Sequence, residues 1–272
     1  MNMNQEDKLW YYKEIGNTVD EFNEIVLKNS ENINRNKRLK YIVYYTGILS
    51  KYGKSVSLLK SKGLNMSIES LTRDLLEYYV TTKKLINLYN DTKFEYYLKY
   101  LILLDLKQDV SIYKSIKEDR TISDSNRLKL EESYIKRFKF IIKKIFNYKL
   151  SDEINNRTLN NKVLDNTINQ ISKSYNDTKK NTKGKTYYIG RALEDNKSLK
   201  KANNNKAYEE SYTIYKDLCR YTHGNLGIID DKLVKNGMID FSGLGPNTDA
   251  CVQLVYYCLK DTVENLKMEC LS

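Results

Sequence analysis

Residues 9–26, LWYYKEIGNTVDEFNEIV, decide the fold class. Within them Leu9, Tyr12, Ile15, Val19, Phe22 and Val26 step by three or four, the spacing of one buried face of an α-helix. An N-terminal helix is therefore predicted over 5–29. The same period runs on down the chain. A second helix, from about 38 to 62, carries Leu39, Ile42, Val43, Leu49, Val56 and Leu59, with Gly47 and Gly53 leaving room for a neighbour to approach closely. Ser67 reads as an N-cap ahead of Ile68, Leu71, Leu75, Tyr78 and Leu85. Three more helices are predicted at about 93–117, 124–149 and 158–179. The expected fold is an all-α, multi-helix bundle forming a single domain over 1–272, and the lone proline of the chain suits it.

The C-terminal quarter has the sharpest patterns. Tyr208, Tyr212, Tyr215, Cys219, Thr222, Leu226 and Ile229 alternate steps of four and three along one aromatic and apolar seam. Asn236-Gly237, between Leu233-Val234 and Met238-Ile239, signals a small β-hairpin over about 232–241, because Asn-Gly supplies the two positive φ values of a type I′ turn. Asn247 or Thr248 then caps a last helix with Cys251, Leu254, Val255, Cys258, Thr262 and Leu266 along one side. Between the sixth helix and the seam, residues 176–205 are rich in Lys, Asn, Thr and Gly, and a mobile basic connection holding one short helix is predicted there.

Composition narrows the chemistry. The 272 residues hold 46 Lys and Arg against 35 Asp and Glu, with one His and four Cys. A single imidazole, His223, and four cysteines with no C-x-x-C spacing argue against a zinc site, so no metal and no cofactor is expected. The polar, acidic start from Met1 to Asp7 lacks the apolar region of a signal peptide, and no apolar run reaches the roughly 20 residues of a membrane span. A cytoplasmic location with reduced thiols and no membrane partner is expected.

The net charge of +11 is local. Lys136, Arg137, Lys139, Lys143, Lys144 and Lys149 face no acid, and ten bases between Lys173 and Lys206 face only Asp177, Glu194 and Asp195. Such segments attract phosphate backbones or acidic proteins, although a solvated lysine-rich helix face reads the same way. Lys139, Lys143 and Lys144, together with Lys216, are the candidate phosphate contacts, and RNA or another acidic partner is the expected ligand.

His223 is the one side chain that titrates near neutrality unperturbed. It stands four residues after Cys219, beside Arg220 and Lys216, with Asn225 close behind. Neighbouring cations favour the neutral imidazole, a candidate general base, and with phosphate bound they stabilise developing negative charge. The alternative is a histidine that hydrogen-bonds a carbonyl at a helix end. Arg73 and Glu77, spaced i, i+4 among Leu71, Leu75, Leu76, Tyr78, Tyr79 and Val80, form a partly buried pair. Such a pair either holds phosphate with Arg73 while Glu77 orients a base, or locks two helices together.

The segment Tyr212-x-x-Tyr215-x-x-Leu218-Cys219-x-Tyr221-x-His223-x-Asn225-Leu226 resembles a motif of the bacterial family 5677 of the domains of unknown function. Arg73 and Glu77 fit the Arg-x-x-x-Glu element of that family. The likeness is specific at Tyr215 to Leu226 and looser elsewhere over about 35–270. It implies a helical fold and one shared polar cluster of His223, Asn225, Arg73 and Glu77. A fainter similarity is to HEPN ribonucleases of toxin and phage-defence systems, which pair two protomers into a composite site. Arg220 stands only three positions before His223, and Lys216 occupies the place of a suitably spaced arginine. Two functions follow as expectations. One is a defence- or stress-related, metal-independent ribonuclease, homodimeric, with His223, Arg73, Glu77, Arg220 and Asn225 catalytic. The other is a non-catalytic helical module that binds a protein or nucleic acid through its basic segments.

Overall fold

A computed structural model of the chain describes residues 5–62, 64–119, 121–148, 161–176, 234–235, 238–239 and 248–271. Among these residues the fold is helical: α1 (Gln5–Lys28), α2 (Ser30–Arg35), α3 (Lys37–Ser61), α4 (Asn65–Asn87), α5 (Lys93–Glu118), α6 (Asp124–Lys144), α7 (Asn161–Asn176) and α8 (Thr248–Leu266), with a π-helical turn at Lys267–Leu271. Val234–Lys235 pairs antiparallel with Met238–Ile239, Val234 opposite Ile239. The remainder of the predicted hairpin at 232–241, the predicted connection at 176–205 apart from Asn176, and the aromatic seam from Tyr208 to Ile229 lie outside the described residues. No described helix is long and apolar enough to cross a membrane.

The chain forms two compact units. The first unit contains α1 to α4 and α8. Ile15 and Val19 of α1, Leu49 and Val56 of α3, Leu75, Leu76 and Val80 of α4, and Val255 and Leu259 of α8 form its core. Gly53 is what lets α3 and α8 meet: a Cβ there would collide with Leu259 Cδ1. The companion expectation for Gly47 does not hold to the same degree, since a Cβ at that position would meet only the Phe22 ring at 3.9 Å, an ordinary contact. Buried threonines are accommodated within their own helices. The hydroxyls of Thr46, Thr82 and Thr262 donate to the carbonyls of Ile42, Tyr78 and Cys258 four residues earlier.

The second unit is α5, α6 and α7. Leu103, Leu106 and Val110 of α5 pack with Ile135, Phe138 and Ile142 of α6 and with Leu164, Ile168 and Ile171 of α7. The Lys114 ammonium, bonded to both carboxylate oxygens of Asp165 at 2.8 and 2.7 Å, ties α5 to α7 at the rim.

Two helix boundaries correct the sequence reading. Ser67 is not the cap of α4. The Leu64 amide hydrogen-bonds the Leu59 carbonyl, and the chain re-enters helix at Asn65, so Ser67 falls inside the first turn and no side chain caps it. Helix α6 ends at Lys144 rather than 149. Phe146 and Tyr148 donate back to Ile141 and Ile142, and Asn147 takes a left-handed conformation at φ 50°, which asparagine tolerates better than most residues. The start of α3 is capped by a residue that periodicity does not mark: Asn36 Oδ1 accepts from the Arg38 and Leu39 amides while its Nδ2 donates to the Tyr89 hydroxyl at 2.7 Å.

Candidate functional site

Helix α6 sorts its residues cleanly. Ile135, Phe138, Ile141 and Ile142 are buried in the core of the second unit. The opposite face is turned outward by the 100° step of the helix and carries Lys129, Lys136, Arg137, Lys143 and Lys144, all exposed. Phe140 sits in the middle of this face, at i+4 from Lys136 and i−4 from Lys144, and is 61% exposed. Lys139 is half-buried at the flank. Arg137, at the edge of this face, pairs with Asp109 of α5 at 2.9 Å, which leaves the lysines as the adaptable charges of the face. An exposed aromatic ring set among ammonium groups can stack an unpaired base while the lysines contact flanking phosphates.

Arg73 and Glu77 are brought together, 3.3 Å apart on α4, with side chains only 17% and 15% exposed. Asp74 lies beside them. Burial raises its carboxyl above the usual range, and the Arg73 charge opposes the rise. The Tyr52 hydroxyl is pushed up by burial and then by Asp74 and Glu77. The Tyr52 ring packs against Tyr78 with centroids 5.6 Å apart, and Tyr78 against Tyr45 at 6.2 Å. The pair, an i, i+4 bridge within α4, thus lies close to the tyrosines Tyr52 of α3 and Tyr78 of α4. His223, Arg220, Asn225 and Lys216 lie outside the described residues.

Two polar groups among the described residues of the first unit escaped the sequence reading, because their members are far apart in the chain. Lys60, in the last turn of α3, meets Asp249 in the first turn of α8 at 3.1 Å and donates to Thr248 Oγ1 at 2.6 Å. Each charge also suits the dipole of the helix end it occupies. Burial pushes the nearby Tyr12 hydroxyl up to about 12, and Asp249 adds to the shift. Further along α8, Asp261 accepts from Lys83, from the Tyr79 hydroxyl at 3.0 Å and from Asn265 Nδ2 at 3.0 Å.

The three described cysteines, Cys251, Cys258 and Cys270, are buried free thiols. Burial pushes Cys251 up to about 12, with Glu69 adding to the rise and a Thr72 hydrogen bond and Lys60 opposing it. Cys258 is raised further still and Cys270 reaches about 12, in both cases chiefly by burial. Thiols held neutral in this way are core residues rather than nucleophiles. Among the described residues no group of His, Cys, Asp and Glu could hold a metal ion. No protein-family model, curated protein or solved structure matches the chain.

Proposed function

We propose that the protein is a helical nucleic-acid-binding module that engages RNA through the outer face of α6. The observation that carries this reading is the exposed Phe140 flanked by Lys136, Lys143 and Lys144, on a helix whose other side is committed to the core. Lysine is sparse in protein–protein interfaces, whereas a phosphate backbone calls for it. A cytoplasmic location belongs to the same proposal. The triple variant Lys136→Ala/Lys143→Ala/Lys144→Ala should keep the fold, because all three side chains are exposed. It should lower the salt dependence of binding to a labelled single-stranded RNA by a slope of about 2, at about 0.7 per lost contact. An unchanged affinity and slope would sink the reading.

The ribonuclease reading, with its defence role and composite homodimer site, rests on His223, Arg220 and Asn225 and on Arg73 with Glu77. The mutual pairing of the last two, mostly out of solvent, supports a structural part for them. Equal cleavage of RNA by the wild type and a His223→Ala variant, or none by either, would end that reading; a loss confined to the variant would restore it.

A further inference from the structure

Helix α3 carries Lys37, Arg38, Lys40, Lys51, Lys54 and Lys60 and not one acidic residue. Two of these cations are committed internally. Arg38 donates to the Tyr89 carbonyl at 2.7 Å, and Lys60 is paired with Asp249. Lys40, Lys51 and Lys54 are exposed, with no ion-pair partner among the described residues. The 100° step of the helix places Lys40, Tyr44 and Lys51 on one outward stripe, with Lys54 at its edge. Tyr44 is 64% exposed, and its ring is held edge-on by Tyr45, centroids 5.8 Å apart. At about 1.5 Å per residue, Lys40 and Lys51 stand about 16 Å apart along the axis, a span of several nucleotides with the ring between its ends.

We propose that this face of α3 is a second binding surface, for single-stranded nucleic acid, with Tyr44 as the stacking platform and Lys40, Lys51 and Lys54 on the phosphates. It shares its ligand class with the α6 reading but rests on different residues, in the other compact unit of the chain. Three features favour this occupant. Charge complementarity calls for a polyanion, since the helix offers cations only. An exposed ring face serves unpaired bases, whereas a duplex hides the faces of its bases in the stack. A membrane surface fits less well, because Leu39, Ile42, Leu49 and Val56 are buried in the protein and Leu58 is the one large aliphatic side chain of α3 left exposed, too little apolar surface to enter lipid.

The test uses the full chain and a fluorescein-labelled oligouridylate of about 20 nucleotides, followed by anisotropy between about 50 and 200 mM salt. The Lys40→Ala/Lys51→Ala/Lys54→Ala variant should lower the salt slope by about 2, and Tyr44→Ala should weaken binding by about 5- to 150-fold at every salt concentration. Tyr44→Phe, which keeps the ring, should bind like the wild type. Circular dichroism checks that each variant is folded, and all four positions are exposed. If the α3 variants bind like the wild type while the α6 variant is weakened, the α3 proposal fails and the α6 reading stands. The reverse result removes the α6 reading and leaves this one. Binding to vesicles of anionic lipid but not to the oligonucleotide would overturn both.

Discussion

The Lys83 ammonium donates to both carboxylate oxygens of Asp261, at 2.8 and 2.7 Å, and so joins α4 to α8 across 178 residues of sequence. Tyr79 and Asn265 give Asp261 two further donors. Replacing the acid alone strands a largely buried cation and two further donors, so Asp261→Ala should destabilise the first unit by about 2 kcal/mol. Lys83→Met/Asp261→Leu should recover part of that loss, since neither charge is then left without its partner. Urea midpoints of the single and double variants measure the coupling. Additive losses would show that the two side chains do not act as a unit.

Gly53 and Gly47 lie six residues apart on α3 yet predict opposite outcomes. A methyl at Gly53 would collide with Leu259 Cδ1, and Leu259 is fully buried, so its rotamer cannot swing aside freely. Gly53→Ala should cost about 1–3 kcal/mol by overpacking. Gly47→Ala meets only an ordinary contact with the Phe22 ring and should gain about 0.5–1 kcal/mol from helix propensity. Thermal unfolding of the two variants decides the matter; equal shifts would contradict the packing of α8 on α3.

The helical fold was legible because apolar period alone carries it. Ile15, Val19 and Phe22 are buried as their spacing requires, as are Leu75, Val255 and Cys258. Boundaries were less legible. Asn36, whose Oδ1 caps the Arg38 and Leu39 amides, also donates to a tyrosine 53 residues away, and Asn147 ends α6 by adopting a left-handed conformation that no local pattern announces. Of the candidate site, the i, i+4 spacing correctly brought Arg73 to Glu77, and the acid-free run from Lys136 marked the basic face of α6. The pairs Lys60–Asp249 and Lys83–Asp261 could not be found that way, since only the packing of α8 against α3 and α4 makes them neighbours. The α3 surface did leave a readable trace, six cations without an acid, but they are spread over 25 residues and do not form a run.

The Arg73–Glu77 pair yields a prediction that separates its two roles. With both side chains mostly buried, Glu77→Gln should lower stability by about 1–2 kcal/mol and leave RNA affinity unchanged. Arg73→Met should cost more, because it removes the positive charge that faces both Asp74 and Glu77. Denaturant titration and RNA anisotropy on the same samples check this. A fall in RNA affinity at unchanged stability would instead place the pair in a binding site.

Alkaline stability follows from the thiols. Cys251 is held at about 12 in the native protein, above the ordinary value of 9.0 it regains on unfolding. Between those values the native state keeps a proton that the unfolded chain releases, so ν_U is smaller than ν_N and stability falls as pH rises. The stabilising effect of the neutral thiol is complete below about pH 9 and is lost up to about pH 12, at about 1.4 kcal/mol per pH unit. Tyr12, also raised to about 12, steepens the loss above its ordinary value of 10.0. Cys251→Ala should therefore flatten the alkaline limb of a stability-against-pH curve without altering its neutral and acid parts in shape. In the same pH range a thiol reagent should label Cys251 and Cys258 only as fast as the first unit opens, and rapid labelling of the folded protein would show that these thiols are not sealed in the core.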